Sequence, residues 1–93
     1  MKFVEQWKKV ADWGMSMIYS GTLALLEVAQ RAAEKQLANE PWTPMGVCQE
    51  YAEEKGKTQW SVWSNIRYAL LHSSVDIMPR EAIVELVEAV SCE

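Results

Sequence analysis

The sequence predicts an all-α fold, a compact bundle of about five helices. Apolar residues recur at helical spacing, and three prolines and four glycines separate the stretches that show this spacing. Strand signals are scarce, since no stretch alternates with period two and no Asn-Gly or Asp-Gly pair marks a hairpin. With 49% hydrophobic residues the chain can form one small core, so residues 1–93 are predicted to be a single domain.

The first predicted helix covers about residues 2–13 and ends at Gly14, because glycine adopts the left-handed conformation that terminates many helices. Its apolar residues lie at helical spacing: Phe3, Val4, Trp7, Val10 and Ala11. Trp7 and Trp13 are both expected in the core.

The second predicted helix, about 21–38, is the longest and is expected to be the scaffold of the bundle. Ser20 is its expected N-cap, since a serine hydroxyl can accept an early backbone N–H. Its predicted apolar face consists of Leu23, Leu26, Ala29, Ala33 and Leu37. Arg31 and Lys35 are expected to form an exposed pair beside two glutamates of the same helix.

The third predicted helix covers about 44–55. Thr43 followed by Pro44 is a favourable start, because the hydroxyl can cap the helix and proline suits its first position. Trp42, directly before the cap, suits a hydrophobic staple. Gly56 is expected to end the helix.

The fourth predicted helix covers about 58–73, with Thr58 as its N-cap. A loop then leads to the fifth, about 79–91, which begins at a proline. Four residues of the last helix are expected to be buried: Ile83, Leu86, Val87 and Val90. Its glutamates lie on the opposite side and are expected to face water.

The two helices over 44–73 match the residue spacing of a helix-turn-helix, which is predicted to be the core of the domain. That motif needs a small residue where the helices cross, a residue that tolerates positive φ four positions later, and an aliphatic residue six positions further on. Ala52, Gly56 and Val62 meet these demands. The residues beside the glycine depart from the pattern, because both are lysines where many such turns are apolar. An ordinary αα-hairpin is the alternative interpretation.

In this register the helix over 58–73 is a recognition helix for the major groove of double-stranded DNA. The candidate DNA-binding residues are Lys55, Lys57, Thr58, Gln59, Trp60, Trp63, Ser64 and Arg67. Gln59 and Arg67 suit bidentate bonds with base edges, and Ser64 suits a phosphate or a base. The two lysines suit phosphate contacts, which carry no sequence information.

The charge balance is unfavourable for non-specific nucleic-acid binding, because the net charge is −4. Residues 1–75 carry eight acidic and eight basic side chains, whereas residues 76–93 carry five acidic residues and Arg80 alone. Three acids lie close together on the third predicted helix: Glu50, Glu53 and Glu54. They are expected to form a solvated face, near the path that a DNA backbone would take.

Several segments follow one another with a characteristic spacing. Trp13-Gly14 precedes the stretch GTLALLEV at 21–28, and MGVCQEYA at 45–52 precedes KTQWSVWSNIRYAL at 57–70. A Met-Pro pair then opens the last helix. These segments cover most of the chain. In them the chain resembles the C-terminal DNA-binding domain of the sporulation master response regulator of spore-forming Firmicutes.

The resemblance implies a helix-turn-helix fold and DNA binding, in a stand-alone and diverged copy. The residues that correspond most directly are Thr58, Val62, Ile66, Arg67 and Ala69. The exposed face departs from the family, which carries arginines and a glutamate where this chain has Ser61, Trp63 and Ser64. Only Arg67 keeps the charge, so the resemblance implies the fold more directly than the base contacts.

Two functions follow from these features. The first is a DNA-binding transcriptional regulator of bacterial or phage origin, expected to bind paired half-sites as a homodimer because a single neutral domain binds weakly. The alternative is a small acidic phage or mobile-element protein that inhibits a protein partner, as anti-CRISPR proteins inhibit a defence nuclease. That partner would contact the acidic faces and an exposed pair, Trp60 and Trp63.

No enzyme, cofactor or metal site is predicted. The sequence holds no glycine-rich phosphate loop, nucleophile elbow or HExxH motif, and its single histidine, His72, is expected to be a plain helix-end residue. Cys48 and Cys92 lie far apart and are expected to be free thiols in a reducing compartment. No apolar run can span a bilayer, and the first residues do not resemble a signal peptide. A cytoplasmic location without a membrane partner is therefore expected.

Overall fold

The computed structural model describes residues 3–91, and within this range it contains five helices and no strand. The helices are α1 (Val4–Asp12), α2 (Ser20–Leu37), α3 (Pro44–Glu54), α4 (Gln59–Leu71) and α5 (Pro79–Ser91). The all-α prediction is confirmed, and each predicted boundary lies within two residues of the observed one.

Helix α2 is the scaffold of the bundle, as predicted, because it packs against each of the other four helices. Its fully buried apolar positions are Leu25, Leu26, Val28, Ala29 and Ala32. The predicted apolar face was wrong at Leu23 and Leu37, which are exposed near the two ends of the helix. Neighbours on several sides of α2 bury a broad surface in its middle and leave its ends uncovered.

Helices α2 and α4 approach each other at Gly21. A Cβ atom at this position would lie 1.8 Å from the Asn65 carbonyl oxygen and 2.9 Å from the Ile66 nitrogen. Only a residue without a side chain permits this contact. The start of α2 therefore rests directly on the backbone of α4.

The predicted apolar face of α1 is correct at Phe3 and Val10 and wrong at its other positions. Phe3, Val10 and Trp13 are buried, which confirms the expectation for Trp13. Trp7 is 37% exposed, so its expected place in the core was wrong. The position that shares the buried face with these residues is the polar Gln6.

Gln6 is fully buried where α1 meets α2 and α5. Its Nε2 donates to the carbonyl oxygens of Ala29, at 3.3 Å, and Leu86, at 3.0 Å. Its Oε1 has no hydrogen-bond partner among the described residues. The Gln6 amide thus hydrogen-bonds α1 to the backbone of both α2 and α5.

Three helices end in the same left-handed turn. Gly14, Asn39 and Gly56 have φ values of 73°, 59° and 67°. In each turn this residue's N–H, and that of the residue after it, donate to carbonyls of the last helical turn, the pattern of a Schellman cap. The two glycine endings were predicted from the sequence, whereas at Asn39 the end of the helix was predicted but not its left-handed conformation.

The predicted N-caps are correct for two helices and wrong for one. The hydroxyls of Thr43 and Thr58 accept the N–H groups of Gly46 and Ser61, at 3.0 and 3.1 Å. Ser20 is not a cap but the first residue of α2, because the helix begins one residue earlier than predicted. On α5, all four predicted core residues are buried.

Candidate nucleic-acid interface

The connection between α3 and α4 has the local features that the register requires. Ala52 and Val62 are buried, and Gly56 has a positive φ. The N–H of Lys57 donates to the Ala52 carbonyl at 2.8 Å, which closes the turn. Ile66 is fully buried one turn beyond Val62. Each position has the burial or backbone angle predicted for it, while the helix-turn-helix assignment itself remains a prediction.

The outward side of α4 carries four residues at spacings of four, three and four: Trp60, Ser64, Arg67 and Leu71. We call this row the α4 stripe. Trp60 is 74% exposed and Leu71 70%, Arg67 is exposed, and Ser64 is half-buried. Val62, Ile66, Ala69 and Leu70 lie on the opposite side and are buried. The inner side of α4 is therefore fixed by packing, and its outer side is uncovered.

Two predicted base-contacting residues lie partly inside the protein. The Nε2 of Gln59 donates to the carbonyl oxygen of Met45 at 2.9 Å, so its amide connects the starts of α3 and α4. Trp63 is half-buried and packs against the hydrophobic core. The expectation that Trp63 faces outward beside Trp60 was wrong. Residues three apart point about 60° away from each other around a helix, and this rotation places the Trp63 indole at the edge of the core while Trp60 remains exposed.

The three predicted basic residues do not form one patch. The Nζ of Lys55 lies 4.0 Å from a carboxylate oxygen of Glu27 and 5.7 Å from the centre of the Tyr51 ring. Lys55 is thereby directed toward α2. Lys57 is exposed and forms no ion pair with any described residue. Lys57 and Arg67 are the two cations left for a ligand at α4.

Thr58, the remaining predicted contact residue, is exposed but its hydroxyl serves as the N-cap of α4. An oxygen that accepts an N–H bond retains a lone pair and a proton for a further bond. Thr58 therefore fixes the first turn of α4 and remains accessible beside Lys57.

Two of the three acidic residues of α3, Glu50 and Glu54, form ion pairs with α2. Arg31 forms ion pairs with Glu50, at 3.9 Å, and with Glu54. Lys35 lies 3.3 Å from Glu50 and 3.9 Å from Glu40. The hydrogen bond and the charge of Arg31 lower the pKa of the Glu54 carboxyl.

The expected exposed pair of Arg31 and Lys35 was therefore wrong. The acidic residues of α3 are exposed, as expected, although two of them also form ion pairs with α2. Both cations are half-buried and reach across to α3. They offset part of the acidic charge of α3. Helix α4 itself contains no acidic residue.

An aromatic cluster lies at the C-terminal end of α4. The His72 ring stacks on Tyr19, with centroids 5.2 Å apart, and tilts against Tyr68 at 4.5 Å. His72 is thus more than a plain helix end, because it joins α4 to the segment before α2. The sequence analysis missed Tyr68 and Leu71, although continuing the 60–64–67 spacing by four residues would have found Leu71.

Metal-binding groups are not assembled in the part of the chain that the structure describes. No group of three His, Cys, Asp or Glu residues there could hold a metal ion. Cys48 is a buried free thiol whose pKa is raised to about 11 by burial. The prediction for Cys92 lies outside the described residues. None of the described helices is long and apolar enough to cross a membrane.

Comparisons with protein-family models, with curated proteins and with solved structures give no match to this chain.

Proposed function

We propose that the protein binds double-stranded DNA through the outward side of α4, as a transcriptional regulator would. The observation that carries the proposal is the α4 stripe, an uncovered helix face without an acidic residue, held from behind by buried side chains. Arg67 lies on this stripe, and Lys57 lies just before the helix. The resemblance in the same segment supports the proposal.

Each exposed polar residue has a role in such a complex. The Arg67 guanidinium donates to O6 and N7 of a guanine in the major groove. Lys57 and the Thr58 hydroxyl contact phosphate, and Ser64 contacts a phosphate or a base. The Gln59 amide holds α4 against the start of α3, so in this proposal it is a positioning residue and not a base contact.

The net charge of −4 makes non-specific binding weak, so affinity must come from specific contacts and from two copies on paired half-sites. The ion pairs of Arg31 and Lys35 support this proposal, because they offset acid on α3. The remaining excess acid lies at 76–93, in the loop before α5 and beyond it. Asp76, in this loop, lines one pocket together with Arg67 and Leu71 and therefore lies beside the α4 stripe. We propose that the glutamates of α5 face away from the duplex.

The test begins with selection from a pool of randomised DNA duplexes, followed by fluorescence anisotropy on a selected and a scrambled duplex at two salt concentrations. Arg67→Ala should cost about 1–3 kcal/mol on the selected duplex and relax the preference at one position. Lys57→Ala should weaken binding to both duplexes and reduce the salt dependence. Lys8→Ala on α1 removes the same charge from a helix that does not contact α4, and it should leave binding unchanged.

A second candidate, binding of a protein partner, is favoured by the apolar character of the same region. Trp60, Leu71 and Tyr68 are exposed, and Ile18 before α2 is 84% exposed. Exposed tryptophan and tyrosine are frequent anchors of protein interfaces. Equal binding of the wild type to both duplexes, at micromolar affinity or weaker, would refute the DNA proposal in favour of this one. Trp60→Ala should then abolish binding of the partner and leave stability unchanged.

A further inference from the structure

We infer that Trp60 recognises a thymine by its 5-methyl group, so that the DNA site contains a T·A pair about three base-pair steps from the guanine that Arg67 contacts. The inference rests on the proposed function. It assigns a base type to a residue that the resemblance does not explain, since the match at this part of the chain lies in Thr58 and Val62.

Trp60 has the position of a base-contacting residue. It is the second residue of α4, and N-terminal residues of a recognition helix are the ones that approach the base edges. Its side chain is 74% exposed, and the residues of α4 that are buried lie on the opposite side of the helix. The Thr58 cap holds the N–H of Ser61 at 3.1 Å, so the turn that carries Trp60 is well ordered before DNA arrives.

The chemistry of the indole selects among the bases. An indole offers a large apolar surface and one N–H donor, and it has no acceptor. The major-groove edges of guanine, adenine and cytosine present hydrogen-bonding groups and no methyl group. Thymine alone presents a methyl group, next to the O4 acceptor. It is therefore the base whose edge matches both parts of the indole.

The distance along α4 sets the spacing of the two contacts. Trp60 and Arg67 are seven residues apart on one stripe, which corresponds to about 10 Å along the helix axis. This equals about three base-pair steps of 3.4 Å each. Leu71, the other strongly exposed apolar residue of the stripe, lies four residues beyond Arg67 at the C-terminal end of α4.

The test replaces each thymine of the selected duplex, one at a time, by deoxyuridine, which removes the methyl group and keeps the base pair. Wild-type affinity, measured by anisotropy, should fall about fourfold at one thymine, as expected for one buried methyl-sized group. Trp60→Ala should bind more weakly and show no difference between thymine and uracil at that position. Trp60→Phe should retain the difference, because it keeps an apolar ring.

Leu71→Ala is the matched control, since it removes an apolar side chain of similar exposure from the same stripe and should retain the difference. Sequence-specific binding by the wild type without any effect of uracil would overturn the inference and leave the proposed function intact. Retained discrimination in Trp60→Ala, or its loss in Leu71→Ala, would also overturn the assignment to Trp60. Failure of the wild type to prefer the selected duplex would instead refute the proposed function, and the inference with it.

Discussion

Replacing Gly21 by alanine tests how closely α2 and α4 are packed. The new Cβ would lie 1.8 Å from the Asn65 oxygen, and the α4 backbone would have to retreat by about 1.2 Å to reach the 3.0 Å below which real contacts are essentially never seen. Alanine favours a helix over glycine by about 1 kcal/mol. Overpacking commonly costs about 1–3 kcal/mol, and more where backbone must move. Because the α4 backbone would have to move here, we expect an overpacking cost of about 3–5 kcal/mol, which the gain from alanine reduces to a net loss of about 2–4 kcal/mol of unfolding free energy.

The assay is urea denaturation followed by circular dichroism, together with a thermal melt that should shift down by at least about 10 °C. Two controls separate sterics from backbone conformation. Gly56→Ala places a Cβ where nothing lies within 4 Å, so it should cost only the left-handed strain of about 1 kcal/mol. Ser20→Ala, at the exposed first residue of α2, should have almost no effect. A Gly21→Ala protein at least as stable as the wild type would refute the close approach.

Three further predictions concern buried side chains. Ile66→Ala should cost about 2–5 kcal/mol in denaturation free energy, and a loss below 1 kcal/mol would show that Ile66 is not a core residue. Gln6→Ala should lose at least about 2 kcal/mol of unfolding free energy. Gln6→Met should lose less than about 1 kcal/mol, because methionine keeps the side-chain volume and removes an unsatisfied oxygen. Equal losses in the two variants would contradict this account. The third prediction uses a Cys92→Ser background, so that Cys48 is the one cysteine left. Burial raises the pKa of Cys48, so between pH 9 and 11 the folded state keeps a proton that the unfolded state releases. Unfolding free energy should therefore fall over this range. Cys48→Ala should reduce the slope of unfolding free energy against pH. An unchanged slope, measured by urea denaturation at several pH values, would contradict this prediction.

The positions of the helices could be predicted because their end signals are local. Thr43 and Thr58 cap their helices with hydroxyls three residues from the N–H groups that they accept. Gly14 and Gly56 terminate helices through their own backbone conformation. Signals of this kind depend on neighbouring residues alone, so one sequence is enough to detect them.

The buried faces were harder to predict, because tertiary packing decides among apolar residues that look equivalent in sequence. Trp60 and Trp63 differ by three positions and by little in chemistry, yet one is exposed and the other packs on the core. Ion pairs between helices were missed for the same reason. Arg31 binds Glu54, which lies 23 residues away, although Glu27 and Glu34 are nearer in sequence.

The candidate site was predicted only in part. Arg67, Trp60 and Lys57 are accessible as expected. Gln59 and Lys55 are engaged with other parts of the protein, and nothing in their side-chain types indicates this. Polar residues of the same kind serve in a binding face or in a helix junction, and only their three-dimensional neighbours distinguish the two.

The buried Gln6 amide has a consequence for the uniqueness of the native state. Helix α1 carries two apolar rows, one with Phe3, Val10 and Trp13 and one with Val4 and Trp7. Hydrophobicity alone would allow either row to pack against the bundle, with a rotation of the helix between them. The two hydrogen bonds of Gln6 form only when the first row faces inward. A single polar side chain thus selects one orientation of α1 from two that its apolar residues permit.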